Sequence, residues 1–217
     1  MNLEQTRFNM VEQQIRPWDV LDPEVLKLLL ELRREEFVPT AYRSLAFVDM
    51  EIPLGHGEVM LAPKMEARIL QELQVRKADR ILEVGSGSGY LTALLAKKGG
   101  HVYSIEIVSE LKMIAEKNLQ AHGIVNVTLE EGDASHGWPG HGPYDVIVLT
   151  GSTPVLPEEF QRSLIVGGRL FAVVGDAPVM KAVLVTCVEE GIYSTVGLFE
   201  TCIPPLRNAQ QAKQFVF

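Results

Sequence analysis

The sequence predicts an α/β protein: a Rossmann-like, doubly wound and mostly parallel sheet with an antiparallel C-terminal edge, preceded by N-terminal helices. Three observations carry this. The apolar run Ile81 to Val84 is followed by Gly85, Gly87 and Gly89 and then by a helical pattern from Tyr90 to Lys98. Strand-like and helix-like stretches then alternate as far as Val174. Finally, the strand-like runs Lys181 to Glu189 and Tyr193 to Thr201 are separated by Glu190-Gly191 alone, too short a link for anything but antiparallel neighbours.

Taken in order, Asn2 to Ile15 reads as an amphipathic helix with Phe8, Val11 and Ile15 on one face, ended by Pro17. Asp22-Pro23-Glu24 is a helix start: a capping acid, a first-turn proline, and an acid at the positive end of the dipole. Val25, Leu28, Leu29 and Leu32 form that helix's apolar face, which runs to about Arg33-Arg34. Ala46-Phe47-Val48 and Glu51 to Leu54 are candidate extended pieces, and Gly55-His56-Gly57 is a loop. Pro63 opens a helix with Met65, Ile69, Leu70 and Leu73 inward. Beyond the glycine turn, His101 to Ile105 is a strand ending in Glu106. Ser109 caps a helix to His122 with Leu111, Ile114, Ala115 and Leu119 on one face. Val125 to Glu130 and Tyr144 to Thr150 are strands, the second apolar enough to be central. Pro157 to Ile165 is a helix, and Gly167-Gly168 turns the chain into a strand from Arg169 to Val174. The organisation expected is an N-terminal helical cap with a substrate-side loop over residues 1–62 and a ligand-binding α/β domain over 63–217, forming one compact unit.

Composition narrows the class. Hydrophobic content of 47% and charged content of 22% are those of a globular protein. The net charge of −8 argues against non-specific binding to nucleic acid, which relies on neutralising phosphates. Met1 to Glu12 is polar and mixed in charge, unlike a secretory leader, and no apolar run is long enough to span a bilayer. Cys187 and Cys202 lie in apolar runs and read as buried thiols, which together with the rest suggests a cytoplasmic protein.

The chemistry-bearing residues gather at strand ends. A dinucleotide fingerprint would place glycine where Tyr90 stands, and Glu83, two residues before the first glycine, would repel a pyrophosphate. An acid there suits a ligand that carries positive charge and no phosphate, such as S-adenosylmethionine, whose amine it would bind. Glu106 ends the second strand about 20 residues after the turn, where a carboxylate meets a ribose. Asp133, in the turn Gly132-Asp133-Ala134, is within reach of an adenine. The candidate cofactor residues are Glu83, Gly85, Ser86, Gly87, Ser88, Gly89, Glu106, Ile107, Gly132, Asp133 and Ala134. His56, His136 and His141 lie in loops without metal-ligand spacing, so no metal is expected. Gly151-Ser152-Thr153 lacks the glycine pattern of a nucleophile elbow.

With these residues placed, the chain resembles the protein-L-isoaspartate O-methyltransferase family. The segment Ile81 to Thr92 is similar to the cofactor motif shared by class I methyltransferases. More specific are Arg34 to Pro39, Asp49 with Ile52-Pro53-Leu54-Gly55, Tyr144 to Ile147, Gly167 to Leu170 running to Gly175, and Ile203 to Leu206. The resemblance implies S-adenosylmethionine as cofactor, bound by Gly85 to Gly89, Glu106 and Gly132 to Ala134, and protein or peptide substrates with isoaspartyl residues. One departure stands out. Where the family has Gly-Gln-Thr-Ile-Ser, with the serine as its proposed active-site residue, this chain has Gly57-Glu58-Val59-Met60-Leu61. Leu61 takes the serine's place and Val59 the threonine's, while Glu58 adds a negative charge. Three readings therefore stand side by side: isoaspartyl carboxyl methylation, methylation of another acceptor such as a small molecule, and a non-catalytic module that binds the cofactor.

Overall fold

A computed structural model describes residues 2–211. Strands β1 (Ile52–Gly55) and β2 (Glu58–Met60) form a separate hairpin, and seven further strands form one sheet in the order β5-β4-β3-β6-β7-β8-β9. The strands of the sheet are β3 (Arg80–Val84), β4 (His101–Glu106), β5 (Val127–Glu131), β6 (Tyr144–Thr153), β7 (Leu164–Asp176), β8 (Val179–Glu189) and β9 (Ile192–Thr201). Pairings from β5 through β7 are parallel, and β8 is antiparallel to both its neighbours. The expected architecture is the observed one.

Alternation along the strands sends side chains to two apolar layers. Ile81, Val146 and Val148 face a layer built with α3 (Pro63–Leu73), α4 (Tyr90–Lys98) and α5 (Ser109–Ala121). The N-terminal helices α1 (Leu3–Met10) and α2 (Pro23–Glu31) join this same layer through Met10, Val25 and Leu29. Leu82, Val84, Ile147 and Leu149 face the other layer with Phe160 of α6 (Glu158–Arg162). The chain winds outward from β3 in one direction and from β6 in the other. The switch point between them is where a wound sheet opens a crevice at its carboxyl edge. Residues 212–217 of the expected α/β domain lie outside the described residues.

Several local expectations are corrected. The first helix passes into a π-helical turn at Val11–Ile15 and a 3-10 turn through Trp18. Val11 and Ile15 are buried as expected, but Met10 and Arg7, which pairs with Glu35, take the inner face in place of Phe8, which is exposed. In α2 the capping role of Asp22 holds, its Oδ1 accepting from the N–H groups of Glu24 and Val25, while Leu26 is buried and Leu28 only half so. Ala46 to Val48 lies in turns following a 3-10 segment. On α5 Ile114 is exposed, and Ser109 donates to Glu131 instead of capping. Strand β7 begins at Leu164, running through Gly167-Gly168 by an irregularity in register against β6, which shortens α6. Cys187 is buried as expected but Cys202 is exposed.

The hairpin β1 (Ile52–Gly55) and β2 (Glu58–Met60) was expected only in its first strand. His56 and Gly57 both take positive φ, the conformation of a tight two-residue hairpin turn. This places Glu58 to Leu61 at the edge of the crevice.

Candidate active site

The crevice encloses about 880 Å³, part of it open solvent. Its floor comes from strand ends and the turns after them: Val84 to Ser88, Ile105 to Ile107, Gly132 to Ser135, and Thr150-Gly151. Its remaining wall comes from Leu54, Glu58 to Leu61, Glu66, Tyr90 and the strap Pro204 to Arg207. Every expected cofactor residue except Glu83 and Gly89 lines this space.

The glycine turn is clamped from three sides. Thr150 donates its hydroxyl to the carbonyls of Val84 at 2.8 Å and Gly85 at 3.0 Å. Gly85 has φ +95°, and a Cβ there would collide with Thr150 Oγ1, so only glycine fits. Asn118 of α5 donates to the Ser88 carbonyl at 2.9 Å. The third clamp is Glu106. Its Oε2 accepts from Gly87 N at 2.9 Å and Ser86 Oγ at 3.3 Å, and its Oε1 from Val108 N at 3.0 Å. One buried carboxylate thus ties the turn after β3 to the start of α5. Roughly three of its four acceptor positions are taken, which leaves room for a hydroxyl of a ligand.

Asp133 sits across the crevice, with Oδ1 accepting from Ser135 N at 3.0 Å and Oδ2 from Asn208 Nδ2 at 2.8 Å. Partial burial works to raise its carboxyl, but the bonds from Ser135 and Asn208 outweigh it and hold Asp133 below the usual carboxylate range.

Glu83 is a correction. Strand alternation turns it away from the crevice and under α4. There it accepts from Thr92 Oγ1 at 2.5 Å and Ser104 Oγ at 2.6 Å, Ser104 being its register partner on β4. Burial pushes its carboxyl up to about 8 against those bonds, and its Oε1 has no partner. Glu83 is a structural acid that fixes α4 to the sheet and does not line the crevice. The crevice is nonetheless acidic: Glu58, Glu106 and Asp133 line it, Glu66 is paired with Arg34, and Arg207 is the one cation among the described lining residues.

The wall around Leu61 rests on Arg34, which is fully buried. Its guanidinium pairs with Glu66, donates to the carbonyls of Ala46 at 2.9 Å and Leu61 at 2.7 Å, and lies over the Tyr90 ring. Burial pushes the Glu66 carboxyl up while Arg34 opposes it. The Tyr90 hydroxyl is buried without a partner, and burial raises it above the usual phenol range. Leu61 is 5% exposed and brings no side-chain donor to the crevice.

Glu58 bonds Arg207 Nε at 2.6 Å, and the Arg207 guanidinium also donates to the His56 carbonyl. The repulsion expected from Glu58 is therefore answered by a cation. Sequence reasoning missed Thr150, Asn118, Glu66, Arg207 and Asn208. Of these only Thr150, at the end of an apolar central strand, carried a local signal.

The loop histidines take no part. None lines the crevice among the described residues, and His141 instead bonds Glu130 at 2.6 Å. Ser152 donates to the Ile203 carbonyl, so its hydroxyl anchors the strap. Among the described residues no group of side chains has the makings of a metal site, and no helix is long and apolar enough to cross a membrane.

Comparison with known proteins agrees with this geometry. A sequence model of the protein-L-isoaspartate(D-aspartate) O-methyltransferase family matches residues 5–194. Protein-L-isoaspartate O-methyltransferase 1 of Rhodopseudomonas palustris is 42% identical over 169 residues, covering 78% of this chain and 69% of that protein. The corresponding protein of Geotalea uraniireducens is 35% identical over 209 residues, covering 96% and 95%. A solved protein-L-isoaspartate O-methyltransferase superposes with TM-score 0.78 at 27% identity, covering 94% of this chain and 65% of that one. A Plasmodium falciparum structure described as a complex with S-adenosyl-L-homocysteine shares the fold, with TM-score 0.75 at 21% identity, covering 92% of this chain and 97% of that one. The chain belongs to the protein-L-isoaspartate(D-aspartate) O-methyltransferase family.

Proposed function

We propose that the protein transfers a methyl group from S-adenosylmethionine to the free carboxylate of L-isoaspartyl residues in damaged proteins or peptides. The observation that carries this reading is the joining, in one crevice, of the glycine turn clamped by Glu106 with the segment Glu58 to Leu61. The residues present fit the cofactor. The crevice is acidic, offers a spare acceptor on Glu106, and among the described residues has no basic cradle for phosphates, which suits a sulfonium ligand. On this reading Ser86 to Ser88, Glu106, Ile107 and Gly132 to Ala134 hold it, Gly85 and Gly89 shape the turn, and Glu106 receives the ribose. When bound, S-adenosylmethionine supplies an electrophilic methyl on positively charged sulfur.

The chain's own part is to orient and to exclude water. An isoaspartyl carboxylate is ionised at neutral pH and needs no general base. The lack of a crevice histidine among the described residues fits that acceptor better than a phenol or amine. Leu54, Met60, Leu61 and Leu206 give the acceptor end an apolar, water-poor lining. A second reading, methylation of a different acceptor, draws on one observation: Val59 and Leu61 remove both side-chain hydroxyls from this wall. Two free thiols and the acidic net charge suit a cytoplasmic setting without nucleic-acid partners. Calorimetry with S-adenosylhomocysteine and with a nicotinamide dinucleotide, followed by mass spectrometry of an isoaspartyl peptide incubated with S-adenosylmethionine, tests the reading. It predicts binding of the adenosyl ligand alone and the gain of a single methyl group. Binding of the dinucleotide, or an unmodified peptide, would overturn it.

A further inference from the structure

We propose that Arg207 recognises the acceptor carboxylate, a role that in this chain replaces side-chain hydroxyls on the opposing hairpin. The inference rests on the carboxyl-methylation reading above and deepens it. An anion entering a crevice lined by Glu58, Glu106 and Asp133 needs a compensating cation, because burial without one forfeits its hydration. Among the described lining residues Arg207 is the one side chain that can supply it. Arg34 lies behind the wall, fully buried and committed to Glu66, Ala46 and Leu61.

The geometry leaves Arg207 ready for a second partner. Nε and Nη2 are engaged by Glu58 and the His56 carbonyl, whereas Nη1 makes no hydrogen bond within the described residues. A guanidinium carries five N–H donors in a planar fork, so one edge can be fixed by the protein while the other receives a carboxylate. The side chain is 42% exposed, so a peptide can reach it. The strap that bears it is fixed on either side. The Leu206 N–H and the Ser152 carbonyl are bonded at 2.8 Å, and Asn208 is bonded to Asp133. Glu58, which replaces a neutral residue of the family pattern, acts as the support that aims the fork. It and Arg207 form one device for carboxylate selection.

Binding of two peptides to the full chain loaded with S-adenosylhomocysteine tests this by calorimetry. One peptide carries the isoaspartyl carboxylate and the other the same β-linked residue as its carboxamide. The unmodified protein should prefer the carboxylate by about tenfold or more, the scale of a charge-assisted hydrogen bond. Arg207→Ala should abolish the preference, Arg207→Lys should keep part of it, and added salt should weaken it only where the cation is present. Glu58→Gln retains an acceptor for Nε and removes a competing charge, so the preference should hold or grow. Circular dichroism and binding of the carboxamide peptide report folding in each variant. Absence of a preference in the unmodified protein, its survival in Arg207→Ala, or equal losses in Glu58→Gln and Arg207→Ala would overturn the proposal. An Arg207-dependent preference without methyl transfer would instead sink the functional reading and leave this inference standing. Methyl transfer with a preference that survives Arg207→Ala would do the reverse.

Discussion

Replacing Glu106 by alanine should damage both the fold and the cofactor site, because this carboxylate is 4% exposed and holds two elements together. The sequence marks it only as an acid at a strand end, where it would meet a ribose. The structure gives it two good charge-assisted bonds, to Gly87 N at 2.9 Å and Val108 N at 3.0 Å, and a longer one from Ser86. At about 1.5–3 kcal/mol for each of the two good bonds the gross loss is about 3–6 kcal/mol. Water entering from the crevice can satisfy part of this, which brings the net to about 2–4 kcal/mol. Urea denaturation of the unliganded protein should show a midpoint lower by about 1–2 M at unchanged slope, taking a slope of about 2 kcal/mol per molar. Glu106→Gln should fall between, since one carboxamide oxygen can serve only one of the two N–H groups. Calorimetry should show S-adenosylhomocysteine affinity falling by about a hundredfold or more in the alanine variant, because the glycine turn loses its anchor as well as the ligand its acceptor. A midpoint and an affinity both equal to the unmodified protein's would refute the view that Glu106 organises the site.

Other consequences follow from neighbouring residues. Glu83, held at about 8 by burial, keeps its proton in the folded state across the range in which an unfolded glutamate with the ordinary value of 4.5 has lost it. Its contribution to stability is complete below about 4.5, declines by up to about 1.4 kcal/mol per pH unit, and is gone above about 8. Glu83→Gln should flatten that slope in urea titrations between pH 5 and 8, and an unchanged slope would show Glu83 to be ionised. Arg34→Ala leaves Glu66 buried and unpaired and strips a donor from the Leu61 and Ala46 carbonyls. A loss of about 3–5 kcal/mol is expected by thermal unfolding, and one under 1 kcal/mol would contradict the buried pair. Leu61→Ser, alone and with Val59→Thr, should raise the rate on an isoaspartyl peptide, by up to about 10²–10³ if the new hydroxyl acts like an oxyanion donor. No gain in either variant would contradict a role for the missing hydroxyls in holding the acceptor.

The sheet and the glycine turn were legible because their signals are local. An apolar run followed by spaced glycines, and strands separated by helix-length stretches, each reveal themselves within a few residues. What escaped depends on distant partners. Glu58 to Met60 is too short to read as a strand, and its partner Ile52–Gly55 becomes visible as such only once the His56-Gly57 turn is seen. Gly167-Gly168 reads as a break, yet neighbouring strand β6 carries it as an irregularity within β7. Glu83 was misassigned because its position beside the glycines is suggestive, while its direction is set by register with Ser104. The pairs Glu58–Arg207 and Asp133–Asn208 join residues far apart in the chain, and no local pattern announces them. On the first helix Arg7 is buried and Phe8 is not, and the partner that draws Arg7 inward, Glu35, is again distant in the chain.

The most direct test of the account is transfer of an isotope-labelled methyl group from S-adenosylmethionine by the unmodified protein, measured side by side on an isoaspartyl peptide and its ordinary aspartyl counterpart. The account predicts labelling of the isoaspartyl peptide alone, in a base-labile ester that releases labelled methanol. Equal labelling of both peptides, or of neither while S-adenosylhomocysteine binds tightly, would contradict it.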